Sequence, residues 1–585
     1  MMLLRFALFA LAVGQWGCGN DGDPAPTAAG PVEAVLRPTE VLRPTEVLQP
    51  WDLSSIVPIE SVRTMPSGTR TFLRTEFANG ELADLEMTFI QVVDDFLPPM
   101  PVYMFEASDP VLIQLGGIAR GMSGSPIFTK QGTWGAIAYG FTGQDNPPYY
   151  FFATPIEWII GTRETIPAAK PTATWEGHRI TPLETPLLST GLNPLLAGNS
   201  SILSGTISAG LTKERQVSFE AGRPLAVGLL LGELTLGSFG TISHVDGKHI
   251  YGYGHPMFGT GPVELPIIEA RVLGEISHWH APFKFATLNP TVRGILTEDR
   301  LPAVRGVLDE NPALIPLKSV YTFPAGGTAE LDHQLAISID PQIALDLVAA
   351  ALVYPLWNRV ENYPDYSVRV ATDISFVGSD STLARSRLYS ESQRGLYSLV
   401  DAAVCELSRV LEQLMIRRDN ALQLRAAEAR IELIPEPRFA TITAIAANSY
   451  VTQGNTLSIT TSLHVGGMRE QDIELALNIP ETLPAGRYQL KVGSAAELAG
   501  VSEEEECRDD EPFGFFSPPD DSENDKPLDE VFARANKPDD HTILEARLAG
   551  FSPATSGTVI TMQKDIDLLL EGVHTFKLEV ERNDI

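Results

Sequence analysis

The stretch Gly116-Gly117-Ile118-Ala119-Arg120-Gly121-Met122-Ser123-Gly124-Ser125-Pro126 restricts the fold of this chain more than any other. Its glycines open backbone conformations that side chains forbid, and its proline interrupts regular hydrogen bonding. The apolar run Trp134-Gly135-Ala136-Ile137-Ala138-Tyr139-Gly140-Phe141 follows closely. Strand, turn and returning strand is the arrangement these residues favour. The hexapeptide Gly121–Pro126 admits two readings. It is a hairpin turn, since Gly, Ser and Pro are ordinary turn residues. Or it is a turn that presents a nucleophilic serine, with the amides of Gly121 and Ser123 converging where an oxyanion would form.

The rest of the chain narrows the choice. At 585 residues it exceeds what one hydrophobic core supports, so several domains are expected. The 44 prolines and 48 glycines imply many turns and a β-rich structure. The formal net charge of −31 argues against a nucleic-acid partner, which needs a basic face.

Residues 1–18 read as an export signal. Arg5 precedes the apolar run Phe6–Val13, and Gly17-Cys18 follows. A cysteine there resembles a bacterial lipobox, so Cys18 is the expected lipidation site, although Gln15 stands where leucine is usual. This predicts an exported lipoprotein of the bacterial cell envelope, held on a membrane through an N-terminal lipid anchor. The alternative is simple secretion. Residues 19–50 form a Pro-rich linker with the near-repeat Val35-Leu36-Arg37-Pro38-Thr39-Glu40 and Val41-Leu42-Arg43-Pro44-Thr45-Glu46. Of the other two cysteines, Cys405 sits in a helical apolar stripe and Cys507 in an acidic loop, and a bridge between them is one option.

The patterning divides the remainder into a β half-domain with the serine motif (51–168) and a second β half-domain (169–340). A mixed α/β connecting region (341–436) follows, then a β-sandwich of immunoglobulin-like kind (437–585) with an acidic insert at 503–530. Asp340-Pro341 marks a helix start. Three-and-four spacing from Leu396 to Leu414 predicts a longer helix over Arg394–Ala426. Asp246-Gly247 marks a hairpin. The acidic insert lacks calcium-loop spacing and reads as a solvated loop.

A nucleophilic serine needs a base, most often histidine. His255 lies in Gly252-Tyr253-Gly254-His255-Pro256, where flanking residues fix the backbone and aim the ring. A turn histidine with no chemical role is the alternative. His278-Trp279-His280 puts two imidazoles on one strand face without a third ligand nearby, a weak metal site. No metal or cofactor is expected.

The two motifs together resemble the SpoIVB serine peptidase family. The resemblance rests on Gly116–Ile127, Gly135-Ala136-Ile137, Pro155-Ile156-Glu157-Trp158 and Gly254-His255-Pro256, and spans about residues 55–345. It implies a mainly β fold with a chymotrypsin-like double β-barrel and protein or peptide substrates. Ser123 would be nucleophile and His255 general base, with Gly121 and Ser123 amides as the oxyanion site. Asp109, in Ser108-Asp109-Pro110, would be the third catalytic member, with Asp246 and Asp299 as alternatives. Three departures stand out: the serine precedes the histidine, no PDZ segment is recognisable, and a long C-terminal extension follows. A non-catalytic surface protein on a peptidase-like scaffold, or a precursor that processes itself, are the competing expectations.

Overall fold

The computed structural model describes residues 53–582, apart from 98, 142–143, 145, 163–172, 176–177, 184, 192–206, 210–217, 278–281, 360–365, 391–395, 418–420 and 501–525. The export signal with Cys18, the linker, Cys507, His278, His280 and most of the acidic insert therefore lie outside the described residues.

Helix α1 (Ile59–Arg63) leads into a closed six-stranded antiparallel barrel. Its strands are β1 (Arg70–Phe77), β2 (Glu81–Leu97), β3 (Met100–Ala107), β4 (Pro126–Thr129), β5 (Gly132–Phe141) and β6 (Tyr150–Pro155). Pairing runs β4-β1-β2-β3-β6-β5, and β5 returns to β4 to close the ring. Two short helices join the strands, α2 (Pro110–Leu115) before the serine turn and α3 (Ile156–Ile160) after β6. Leu73, Leu85, Tyr103, Phe105, Ile127 and Trp134 fill the interior. Strands β7 (Ala173–Trp175) and β8 (His178–Pro182) extend this sheet along β5. The sequence division at 168/169 thus falls inside the first sheet, because pairing with β5, which local pattern cannot show, keeps residues 173–182 with it.

The second sheet begins with β9 (Leu187–Thr190), β10 (Ile207–Ala209), β11 (Pro224–Leu231), β12 (Thr235–Asp246) and β13 (His249–Gly252). It continues with β14 (Gly261–Ile276), β15 (Phe283–Arg300), β16 (Ala303–Leu308), β17 (Leu314–Thr322) and β18 (Thr328–Ala336). Every residue of β11 is buried, as its unbroken apolar sequence requires. Neighbours run β12-β13-β16-β15-β14-β11, and β11 also pairs with β12. The predicted hairpin joins β12 to β13, with Gly247 at φ 59°.

Helix α4 (Pro341–Val353) starts where expected, its first turn capped by Asp340, whose carboxylate accepts from the Gln342 amide at 2.8 Å. With α5 (Leu396–Met415) it covers the arm of the second sheet built from β17, β18, β19 (Ser367–Val377), β20 (Thr382–Tyr389) and β21 (Gln423–Ile434). Helix α5 ends at Met415, short of the predicted Ala426. Beyond Leu414 the burial switches from three-and-four spacing to alternation at Ala427, Ala429, Ile431 and Leu433. That period-two pattern suits β21, which pairs parallel to β17 and antiparallel to β19.

The C-terminal region holds a four-stranded sheet formed by β22 (Phe439–Ala447), β24 (Thr456–Val465), β25 (Arg469–Asn478) and β29 (Leu569–Glu571). A five-stranded sheet is formed by β23 (Tyr450–Thr452), β26 (Gly486–Ser494), β27 (Ile543–Gly550), β28 (Val559–Asp565) and β30 (His574–Glu581). Both contribute to one core around Leu463, Leu477, Leu490 and Leu548. Helices α6 (Ala495–Ala499) and α7 (Leu528–Ala535) flank the undescribed 501–525. Cys405, on α5, is disulfide-bonded. No helix among the described residues is long and apolar enough to cross a membrane.

Candidate active site

The serine turn sits between the first barrel and the second sheet and is hydrogen-bonded to both. From the first barrel, the Gly124 amide donates to Ile137 O at 2.8 Å and the Ile137 amide to Ser125 O at 3.0 Å. From the second sheet, β12 supplies three bonds. The Thr241 amide donates to Ser123 O at 2.8 Å, the Thr241 hydroxyl to Gly121 O at 2.9 Å and the Ser243 hydroxyl to Gly124 O at 2.8 Å. Gly124 has φ 90°, and a Cβ there would lie 2.2 Å from Thr241 O and 2.4 Å from Tyr253 N. Glycine is required at 124 both for its conformation and for this close approach.

Two amides of the turn are unspent. Met122 donates to Ala119 O and Ser125 to Met122 O. Those of Gly121 and Ser123 make no hydrogen bond among the described residues. Both residues are buried. Buried N–H groups without acceptors are costly and rare. These are the two amides that the sequence assigns to an oxyanion.

His255 follows β13 on the same side. The Tyr253 amide donates to Thr241 O, and the Thr154 hydroxyl of β6 donates to Gly254 O at 2.6 Å. Tyr253 is fully buried with φ 67°, a strained conformation for a bulky residue, and its hydroxyl shares a 2.7 Å bond with the Ser238 hydroxyl. The His255 ring lies 6.3 Å, centroid to centroid, from those of Tyr139 and Tyr253.

Nδ1 of His255 is 2.7 Å from Pro256 O, which makes Nδ1 the protonated nitrogen and leaves Nε2 with its lone pair. Nε2 makes no hydrogen bond among the described residues, nor do the hydroxyls of Ser123 and Ser125. Burial depresses the imidazole pKa to about 4, against the raising influence of the Pro256 and Leu183 backbone, so the ring is neutral at pH 7. Ser123 is 0% and His255 2% exposed. The structure thus brings serine and histidine onto adjoining segments, closed to solvent and without a hydrogen bond between them.

Asp109 has a different place from that expected of a third catalytic member. It caps α2, with one carboxylate oxygen accepting from the Val111 amide at 2.9 Å and the other from the Glu86 amide at 3.1 Å. Ser108-Asp109-Pro110 followed by an apolar turn and Gly116 is a capping pattern, which explains these residues without catalysis. Asp246 lies exposed at the β12–β13 hairpin. Asp299 is fully buried and accepts from the amides of Met257, Phe258 and Gly259 at 2.7–2.8 Å, fixing the loop that leaves His255. Among the described residues no carboxylate holds Nδ1; the Pro256 carbonyl does.

Sequence reasoning passed over two supports. Thr154 is an ordinary strand residue with no local signal. Lys284 is fully buried and bridges the Thr75 hydroxyl and Glu76 O, tying the two sheets beside the serine turn. A lone lysine between Phe283 and Phe285 was the available clue. Comparison with protein-family models, curated proteins and solved structures gives no match.

Proposed function

We propose that this chain is an exported serine endopeptidase of SpoIVB type, working through Ser123 and His255 at the junction of a chymotrypsin-like double β-barrel. The observation that carries this is the coincidence of four unpaired buried groups: the Gly121 and Ser123 amides, the Ser123 hydroxyl and His255 Nε2. A folding scaffold has no use for them, whereas acyl transfer uses all four. The second ring of pairings, β11 through β16, supports the double barrel. The paired four- and five-stranded sheets support an immunoglobulin-like tail.

In this mechanism Ser123 Oγ attacks the peptide carbonyl while its proton passes to His255 Nε2. The oxyanion is held by the Gly121 and Ser123 amides. The C–N bond breaks as His255 returns the proton to the leaving amine, and water then hydrolyses the ester. Pro256 O keeps the tautomer correct but carries no full charge, so it stabilises imidazolium less than a carboxylate would. The disulfide at Cys405 fits an oxidising compartment, hence export, with Cys18 as the proposed lipid anchor.

Burial of Ser123 favours a second reading, a non-catalytic envelope protein that uses the fold for binding. Labelling with a fluorophosphonate separates them. The peptidase reading expects a covalent adduct on Ser123 that Ser123→Ala abolishes. An adduct that persists in Ser123→Ala, or none under any opening condition, refutes it.

A further inference from the structure

One edge of β5 carries, in order, β4, the serine turn and then β8. Strand β4 pairs with residues up to Ala136, and Ile137 exchanges bonds with Gly124 and Ser125. The next position, Ala138, accepts from the Leu183 amide at 2.8 Å. Pro182, Thr181 and Ile180 then stand opposite Tyr139, Gly140 and Phe141, antiparallel to β5. The chain therefore runs along β5 directly toward the serine turn. Its last described residue there, Leu183, has its backbone against the His255 imidazole.

This is where an extended peptide would have to lie to present a carbonyl to Ser123: added as a strand to a sheet edge, with alternate side chains in pockets. The chain's own residues use such pockets. Ile180 is 1% exposed and packs with Met104, Tyr139 and Phe152. Leu183 is half-buried and reaches toward Gly140, where a Cβ would meet its Cδ2 at 3.3 Å. Among the described residues, strand β8 pairs on its other side only with the three-residue β7. A strand so lightly held is a displaceable one.

We infer that the β5 edge from Ala138 to Phe141 is the binding site for an extended peptide with bulky aliphatic side chains, and that Ile180–Leu183 occupies it in cis as an internal blocking strand. This rests on the peptidase reading for its purpose, but the occupancy stands or falls independently. It accounts for a serine and a histidine that are both shut off from solvent.

The test uses the full chain with Ser123→Cys, whose alkylation by iodoacetamide, followed site by site by mass spectrometry, needs no catalysis. Leu183→Pro removes the amide bonded to Ala138 O, and Leu183→Ala trims the side chain while keeping that bond. The blocking strand predicts that Leu183→Pro speeds alkylation of residue 123 about tenfold or more, and Leu183→Ala by less. A peptide with the His178–Leu183 sequence, added in trans, should restore protection where a scrambled peptide does not. Equal alkylation rates in all three proteins, or no protection by the peptide, would overturn the inference. Fluorophosphonate labelling of the same Leu183 variants with Ser123 intact reports separately on catalysis: faster alkylation without labelling defeats the peptidase reading and leaves the blocking strand standing.

Discussion

The amide of Thr241 donates to the carbonyl of Ser123 at 2.8 Å, across 118 residues of chain, so the second sheet holds the serine by its own backbone. Serine geometry and sheet packing are thereby one property.

Gly124→Ala meets two backbone atoms at once, Thr241 O and Tyr253 N, in a conformation that already disfavours a side chain. Neither obstacle can rotate away. The substitution should cost about 3 kcal/mol or more and loosen the junction. Urea unfolding, with hydrogen exchange at Thr241 and Tyr253, checks this; a stability within error of the parent contradicts the packing described.

Acidification should destabilise the fold through its buried histidines. An unfolded histidine titrates near 6.5, while burial lowers His255 and His333 to about 4. Between those values the unfolded chain binds more protons. The contribution is therefore complete above pH 6.5 and lost as pH falls toward 4, at up to about 3 kcal/mol for each ring. The difference in unfolding free energy between pH 7 and pH 4.5 should shrink in His255→Gln. An unchanged difference would mean that the ring is not held neutral.

Asp299→Ala leaves the amides of Met257, Phe258 and Gly259 without their acceptor. A loss of roughly 3 kcal/mol is expected from hydrogen bonds to a charged group. Asp299→Asn, with one carbonyl oxygen left, should fall between. If Asp299 positions His255 rather than merely supporting the fold, the folded Asp299→Asn protein also shows a slower fluorophosphonate reaction with a shifted pH profile.

Asp109 separates capping from catalysis. Asp109→Ala should cost about 1–2 kcal/mol for the lost cap and for the Glu86 amide. The labelling rate of the folded variant should stay within about threefold of the parent, as a carboxylate whose partners are the Val111 and Glu86 amides requires. A loss of several orders of magnitude would restore Asp109 to the catalytic set.

Lys284→Met keeps the apolar stem and removes the ammonium that joins Thr75 to Glu76. The stranded acceptors should lower stability by about 2 kcal/mol. A calorimetric scan in which the first barrel melts separately would show that this bridge couples the two sheets.

Local chemistry was readable wherever a residue acts on its neighbours. The Asp340 cap and the Asp246-Gly247 hairpin both depend on contacts a few residues away. Asp109 is legible too, since Asp-Pro before an apolar turn signals a cap. Pairings between distant segments left no trace. Nothing in residues 173–182 announces β5 as their partner, and nothing in residues 423–434 announces a parallel neighbour at β17. No glycine or proline marks the end of helix α5; its end is set by the competing pull of β21 into the sheet.

The order of the motifs has a consequence for synthesis. Ser123 leaves the ribosome well before Thr241 and His255, and the first barrel closes on itself without them. Until β12 and β13 arrive, the serine has neither its proposed base nor the backbone grip that shapes its turn. On the proposed mechanism, a nascent chain would be inert toward the proteins around it for as long as its second half is unmade.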